Sequence, residues 1–277
     1  MNVTKFSGET ILFNLEVFKK SLIKSGANDQ EIDMVINKVT PKMYDGMLTK
    51  DLYELAYIEL HKIKNSYAAR YSLKRALRDL GPEGYYFEDW ISKLFKQLGF
   101  NSTTSKTLQG NAVTHEIDVL AEKNDEFHLC ECKFRNDEDA KISVTTPMYF
   151  LSRFNDLKNN NYNYFGKNLK PTFGWLITNA YFTQDSIAFA RYYEINILSW
   201  NYPEGTSLKN ITDQMRLYPI TCMSTLTRDE IKFLLSKDVI LVYDIYSNPK
   251  KLGDLNFDED KIQVILNEAK ELVETNL

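Results

Sequence analysis

The residues with the clearest chemical potential are two carboxylates and one lysine on two neighbouring segments. Asp118 lies in the apolar segment HEIDVLA, while Glu131 and Lys133 lie in the segment HLCECKF. Carboxylate oxygens are the ligands that Mg²⁺ and Mn²⁺ prefer. A lysine beside such an ion can orient or deprotonate water and offset the charge that develops on a phosphate. The pattern therefore predicts metal-assisted hydrolysis of a phosphodiester, with Asp118 and Glu131 as metal ligands.

Both segments are predicted to be β-strands, joined by the polar turn KNDE at 123–126. Because side chains alternate along a strand, Glu131 and Lys133 share one face, and Cys130 and Cys132 take the other. Two adjacent strands can therefore present two carboxylates and one ammonium group at a single point.

Structural roles are the alternative for these residues. A strand face that only meets solvent accounts for Glu131 and Lys133, but not for Asp118, which stands in an apolar run. Glu88, on a predicted amphipathic helix, is a further candidate for the metal shell. Its alternative role is to begin that helix near the positive end of the helix dipole.

Composition is that of an ordinary globular protein, with 43% hydrophobic and 26% charged residues among 277. The first residues lack the apolar core of a signal peptide, and no run approaches the roughly 20 apolar residues of a membrane span. Three cysteines cannot form an all-disulfide framework. We therefore expect a cytoplasmic protein with no membrane partner. The net charge of −4 argues against coating of nucleic acid by bulk charge alone.

The predicted elements suggest three domains. A hairpin and several helices fill residues 1–80, and the breaker cluster GPEG at 81–84 ends this region. Residues 84–202 show the order helix, three strands, helix, strand, helix, strand, which predicts an α/β fold with helices covering a mixed sheet. Within it, 159–168 is predicted to be a polar loop. Residues 203–277 are predicted to form a helical tail.

Residues 84–200 resemble the restriction-endonuclease-like PD-(D/E)xK nucleases, in particular the Mrr-like branch. The resemblance rests on Glu88, Asp118 and the Glu131-Cys132-Lys133 strand, and on the segment GWLITNAYFTQDSIAFA. A Gly-Tyr-x-Phe-Glu helix start and a later Tyr-x-x-x-Arg-Phe helix also match. It implies a restriction-endonuclease-like fold, Mg²⁺- or Mn²⁺-dependent cleavage of DNA, and a role in restriction or defence.

The same resemblance implies individual roles for the candidate residues. Asp118 and Glu131 bind the metal, Lys133 positions or activates water, and Glu88 is a fourth catalytic residue. Many Mrr-like proteins have Gln where this chain has Glu131. The glutamate keeps the two-carboxylate form, so this departure favours activity.

The first 80 residues resemble the ATP-cone, a nucleotide-binding module known as an allosteric sensor of ribonucleotide reductases. The matching stretches are Val3-Thr4-Lys5, Gly8, Phe13-Asn14 and YDGMLTKDLYE at 44–54. The resemblance implies that Lys5, Asn14 and Thr49 hold ATP or dATP as an effector. It also implies self-association into a homo-oligomer.

The chain lacks two cations of the ATP-cone pattern. Phe6 stands where the family has Arg, and Val17 stands where it has a phosphate-facing Lys. If each charge-assisted contact contributes about 1.5–3 kcal/mol, nucleotide binding is weakened by several kcal/mol.

The tail loosely resembles a tandem helix-hairpin-helix module, which implies contact with the DNA backbone. Its acidic balance and its lack of a Gly-x-Gly turn make protein contact or packing an equal alternative. For the whole chain, the alternative to a nuclease is a non-catalytic, nucleotide-responsive DNA-binding module. Cleavage of RNA rather than DNA is also left open by the motif.

Overall fold

The computed structural model describes residues 1–5, 8–81 and 84–274. Phe6 and Ser7, in the predicted N-terminal hairpin, and Pro82 and Glu83, in the predicted breaker cluster, lie outside the described residues. The strands are β1 (Asn2–Thr4), β2 (Thr10–Leu12), β3 (Met47–Leu48), β4 (Asn101–Gln109), β5 (Thr114–Lys123), β6 (Glu126–Lys133), β7 (Lys141–Ile142), β8 (Tyr162–Tyr164), β9 (Lys167–Leu169), β10 (Pro171–Thr178), β11 (Tyr181–Phe182) and β12 (Asn196–Leu198).

The helices alternate with these strands and dominate both ends of the chain. They are α1 (Leu15–Ile23), α2 (Asp29–Val39), α3 (Thr49–Ile63), α4 (Asn65–Tyr71), α5 (Leu73–Arg78), α6 (Tyr85–Gln97), α7 (Thr145–Leu157), α8 (Gln184–Tyr192), α9 (Leu208–Met215), α10 (Arg228–Ser236), α11 (Val242–Ser247) and α12 (Glu259–Glu274). Short 3₁₀ helices span Thr40–Lys42, Ile220–Cys222 and Pro249–Leu255. Across the ranges that the structure describes, no helix is long and apolar enough to cross a bilayer.

Contacts divide the chain into two units, which differ from the three domains predicted above. One unit comprises Met1–Leu73 and Cys222–Leu277, and the other comprises Lys74–Thr221. Most of the predicted tail therefore packs with the N-terminal helices. The guanidinium of Arg70 on α4, for example, donates to the main-chain oxygen of Glu271 on α12 at 3.2 Å.

The first unit is mostly helical and contains a small sheet. Strand β1 pairs antiparallel with β2 and parallel with β3. The core between α1, α2 and α3 is apolar and includes Leu22, Ile32 and Leu60. In the same unit, buried Glu268 on α12 accepts hydrogen bonds from the main-chain nitrogens and hydroxyls of residues 224 and 225, at 2.6 to 3.0 Å.

The second unit is built on a mixed sheet with the order β12-β10-β6-β5-β4. Strand β5 runs antiparallel to both β4 and β6, whereas β10 runs parallel to both β6 and β12. Helices α6, α7 and α8 pack against the sheet. The predicted α/β class, with a mixed sheet flanked by helices, is confirmed.

One predicted loop is ordered as a hairpin. Within the stretch predicted as a polar loop, β8 and β9 pair antiparallel around Phe165 and Gly166, which have φ of 55° and 74°. The rings of Tyr162 and Tyr164 lie 6.4 and 6.1 Å from that of Phe127 in the sheet. Aromatic packing therefore fixes a segment whose polar composition predicted a loop.

Candidate active site

The candidate site lies where β5 and β6 stop pairing. The last paired positions are Val119 and Cys130, so Asp118 and Glu131 are the next residues outward on the two strands. By the antiparallel register they lie opposite each other, on one face of the sheet. Beyond this point β6 remains paired with β10, which keeps Glu131 and Lys133 on a supported strand.

Because β5 and β6 no longer pair at this point, a main-chain N–H of β6 donates to the side chain of Asp118 instead. Its Oδ2 accepts a hydrogen bond from the main-chain nitrogen of Cys132 at 2.6 Å. Burial, followed by the negative charge of Glu131, raises the pKa of Asp118 from 3.8 to about 6, against the opposing effect of this hydrogen bond. Asp118 is thus a fixed carboxylate in a site that resists further negative charge.

Glu131 is buried and contacts two cations. Its Oε1 accepts from Lys133 Nζ, and its Oε2 accepts from Nη1 of Arg153 on α7. The side chain of Glu131 is 3% exposed, compared with 30% for Lys133. The predicted shared face of Glu131 and Lys133 is therefore confirmed, and a strand face that only meets solvent does not describe it.

Glu88 reaches the site from the first turn of α6. The helix begins after Gly84, whose φ of 81° is in the left-handed region, and the Glu88 nitrogen donates to the Gly84 oxygen at 3.1 Å. A Cβ at position 84 would lie 3.1 Å from Phe134 Cβ, so glycine suits this approach on two grounds. Burial, and then the charge of Asp118, raises the pKa of Glu88 from 4.5 to about 8.

Helix α7 braces the beginning of β5, which the sequence did not predict. Arg153 Nη2 donates to the main-chain oxygen of Glu116, and one turn later Asp156 contacts His115 Nε2 at 2.8 Å. Asp156 also accepts from the main-chain nitrogen of Ala112 at 2.8 Å. The Tyr-x-x-x-Arg-Phe pattern marks Arg153 in the sequence, but it carries no information about this partner.

The opposite face of β6 is a packed core. Cys130 and Cys132 are buried, and burial raises the pKa of both thiols. His128 accepts a hydrogen bond through Nδ1 from Trp175 Nε1 at 3.0 Å. Burial lowers the pKa of this imidazole, which favours its neutral form. These side chains hold the strand in place by packing, and they lie on the face opposite the candidate site.

The donor set suits a hard divalent cation, although it is not arranged as a closed metal site. Among the described residues, no group of three or more His, Cys, Asp or Glu side chains is placed to hold an ion. The charges of Asp118 and Glu131 nevertheless disfavour ionisation of Glu88, and the charge of Glu131 disfavours ionisation of Asp118. Oxygen ligands with excess negative charge are what Mg²⁺ or Mn²⁺ requires. Asp118 and Glu131 would hold the ion, with Glu88 beside them.

The predicted nucleotide residues lie at two ends of the small sheet in the first unit. Lys5 follows β1 and Thr49 begins α3 directly after β3, and these parallel strands bring both residues to one end. Asn14 follows β2, which is antiparallel to β1, so it lies roughly 15 Å away along the strand direction. The Asn14 side chain caps α1, and Lys5 Nζ pairs with Glu9 at 2.8 Å.

Comparison with known proteins relates the chain to proteins without an assigned activity. Residues 218–273 match a family model described as AF1548-like, C-terminal. An uncharacterized protein of Archaeoglobus fulgidus is 27% identical over 184 residues, which are 66% of this chain and 99% of the relative. The crystal structure of a protein of unknown function, AF1548, matches with a TM-score of 0.56 and 27% identity. That match covers 68% of this chain and 97% of the solved chain.

Proposed function

We propose that the second unit is a metal-dependent endonuclease that hydrolyses phosphodiester bonds of DNA. The observation that carries this proposal is the convergence of Glu88, Asp118, Glu131 and Lys133 where β5 and β6 separate. The restriction-endonuclease-like identity of the mixed sheet, and a role in restriction or defence, belong to the same proposal. The cations Mg²⁺ and Mn²⁺ are the expected cofactors.

The residues of the chain divide the chemical work between them. Asp118 and Glu131 bind the ion, which when present supplies Lewis-acid stabilisation of the phosphate and of the attacking water. Lys133, whose side chain is partly exposed, orients that water and offsets developing negative charge. Glu88 lies beside these groups, and its carboxylate either binds a proton or serves as a further ligand of the ion.

A non-catalytic, nucleotide-responsive DNA-binding module is the second candidate function. It is favoured by the two cations that already bind Glu131 and by the open arrangement of the carboxylates. Such a protein would keep the sheet and its charge network as structure. Under either function, ATP or dATP is proposed as the effector, with Lys5, Asn14 and Thr49 as its contacts, of which Lys5 and Thr49 share one end of the first sheet.

Plasmid cleavage tests the proposal. Supercoiled DNA is incubated with the protein in Mg²⁺, Mn²⁺ or EDTA, with and without ATP. Asp118→Asn and Lys133→Ala are expected to abolish metal-dependent cleavage, whereas Lys96→Ala, an exposed lysine on α6, is expected to leave it unchanged. Equal cleavage by all four proteins would reveal a contaminating nuclease and refute the assignment.

Two further arms separate the remaining alternatives. Labelled DNA and RNA duplexes of one sequence distinguish the two substrates. Wild-type protein that retards DNA without cleaving it, in either metal, would favour the binding module. Size-exclusion chromatography with and without ATP tests the proposed homo-oligomer, and an unchanged profile together with unchanged cleavage would remove nucleotide control.

A further inference from the structure

The carboxylate of Glu131 has a cation at each of its two oxygens. Lys133 Nζ contacts Oε1, and Arg153 Nη1 contacts Oε2. The side chains of Glu131 and Arg153 are 3% and 11% exposed, so water screens this pair weakly. A metal ion that binds Glu131 must therefore compete with a nearly buried guanidinium for the same carboxylate.

Arg153 has a second attachment, which does not depend on Glu131. Its Nη2 donates to the main-chain oxygen of Glu116, and its guanidinium lies 5.6 Å from the centre of the Tyr149 ring. These contacts hold the guanidinium beside the carboxylates even when Nη1 is released. With Nη2 held by the Glu116 oxygen, the released Nη1 can donate a charge-assisted hydrogen bond to a phosphate oxygen.

We propose that Arg153 is the internal counter-ion of Glu131 in the metal-free protein and becomes a phosphate-binding residue once a metal ion takes that carboxylate. This inference rests on the proposed function, because it requires both a metal ion and a phosphodiester. The guanidinium first neutralises the buried carboxylate and lowers its affinity for metal. It then contacts the substrate from the position that Glu116 and Tyr149 define.

The proposal predicts opposite effects on metal binding and on cleavage. Loss of the guanidinium removes a positive charge a few ångströms from the metal, so metal binding becomes tighter. It also removes a phosphate contact, so cleavage becomes slower. A residue that only braces α7 against β5 gives a different result, since its loss disorders the ligands and weakens both metal binding and cleavage.

Arg153→Gln and Arg153→Lys form a matched pair, because the first removes the charge and the second keeps it. Isothermal titration with Mn²⁺ measures metal affinity without turnover. Arg153→Gln is expected to bind Mn²⁺ at least about tenfold more tightly than wild type, and Arg153→Lys within about threefold of it. At saturating Mn²⁺, plasmid cleavage by Arg153→Gln is expected to fall at least about 100-fold, with partial recovery in Arg153→Lys.

Each outcome has a distinct meaning. If wild type binds Mn²⁺ and cleaves, but Arg153→Gln binds Mn²⁺ no more tightly, the counter-ion role is overturned and the nuclease stands. Cleavage by Arg153→Gln at the wild-type rate overturns the phosphate-binding role. If neither protein binds Mn²⁺ or cleaves, the proposed function falls and this inference with it. Circular dichroism verifies folding, and Arg153→Met, which keeps the apolar stem, replaces Arg153→Gln if that variant does not fold.

Discussion

Replacing Glu88 by glutamine is expected to remove much of the pH dependence of stability of the metal-free protein. Burial, and then the charge of Asp118, raises the pKa of Glu88 from 4.5 to about 8. A carboxyl group whose pKa is raised on folding stabilises the folded state while it is protonated. That contribution is complete below about pH 4.5 and is lost as the pH rises through about 8.

The size of the effect follows from the same pKa values. The difference between 4.5 and about 8 corresponds to roughly 5 kcal/mol, at about 1.36 kcal/mol for each unit. Glu88 is only half-buried, so water solvates part of the ionised carboxylate, and we expect about 2 kcal/mol to remain. Glutamine has nearly the same shape without the charge. Asp118, with its pKa of about 6, is present in both proteins and accounts for the pH dependence that they share.

Urea unfolding in EDTA at several pH values measures the free energy of unfolding of both proteins. Between about pH 4 and 9, wild type is expected to lose about 2 kcal/mol more than Glu88→Gln. Saturating Mg²⁺ is expected to shrink this difference, because a dication stabilises the ionised carboxylate. Parallel pH profiles of the two proteins in EDTA would refute the conclusion that Glu88 is buried among carboxylates.

Two further predictions concern stability and use the same unfolding assay. Glu268→Gln is expected to cost about 2–3 kcal/mol, because the amide cannot accept all the hydrogen bonds from residues 224 and 225. Glu259→Gln on the same helix is the control, within about 0.5 kcal/mol of wild type, and equal losses would contradict the anchor role. Gly84→Ala is expected to cost about 1–2 kcal/mol, because φ is 81° and a Cβ would lie 3.1 Å from a side-chain carbon. Gly253→Ala, which meets open space, provides the comparison, and a loss no larger than its own would contradict the strain.

Local periodicity was sufficient to predict the part of the site that lies on two strands. Alternation along β6 predicted that Glu131 and Lys133 share a face, and their ion pair confirms this. The polar turn at 123–126 predicted the hairpin that brings Asp118 opposite Glu131, and Asn124 and Asp125 adopt the positive φ that such turns require. These features depend on neighbours in sequence, which is why sequence patterns contain them.

The same local patterns could not predict contacts between residues that are far apart in the sequence. Arg153 pairs with Glu131 across 22 positions, and no local signal identifies Glu131 as its partner. The packing of α12 against α4 joins segments 201 positions apart at Arg70 and Glu271. The β8–β9 hairpin has bulky Phe165 at a positive φ, which sequence propensity disfavours, and tertiary aromatic contacts override that preference.

The charge balance of the site leads to a last prediction. Glu88, Asp118 and Glu131 supply three carboxylates, and Lys133 and Arg153 supply two cations, so one negative charge is uncompensated among these five groups when all are ionised. Burial, together with the surrounding negative charge, raises the pKa of Glu88 to about 8, so near neutral pH this carboxyl group is largely protonated.

A divalent ion that binds there must replace this proton. Binding of Mg²⁺ near pH 7 is therefore expected to release about one proton from wild type and almost none from Glu88→Gln. Calorimetric titration in two buffers of different ionisation enthalpy measures the proton count directly. Equal buffer dependence in both proteins would mean that the ion does not displace the Glu88 proton. The excess negative charge would then be a property of the fold rather than of a metal site.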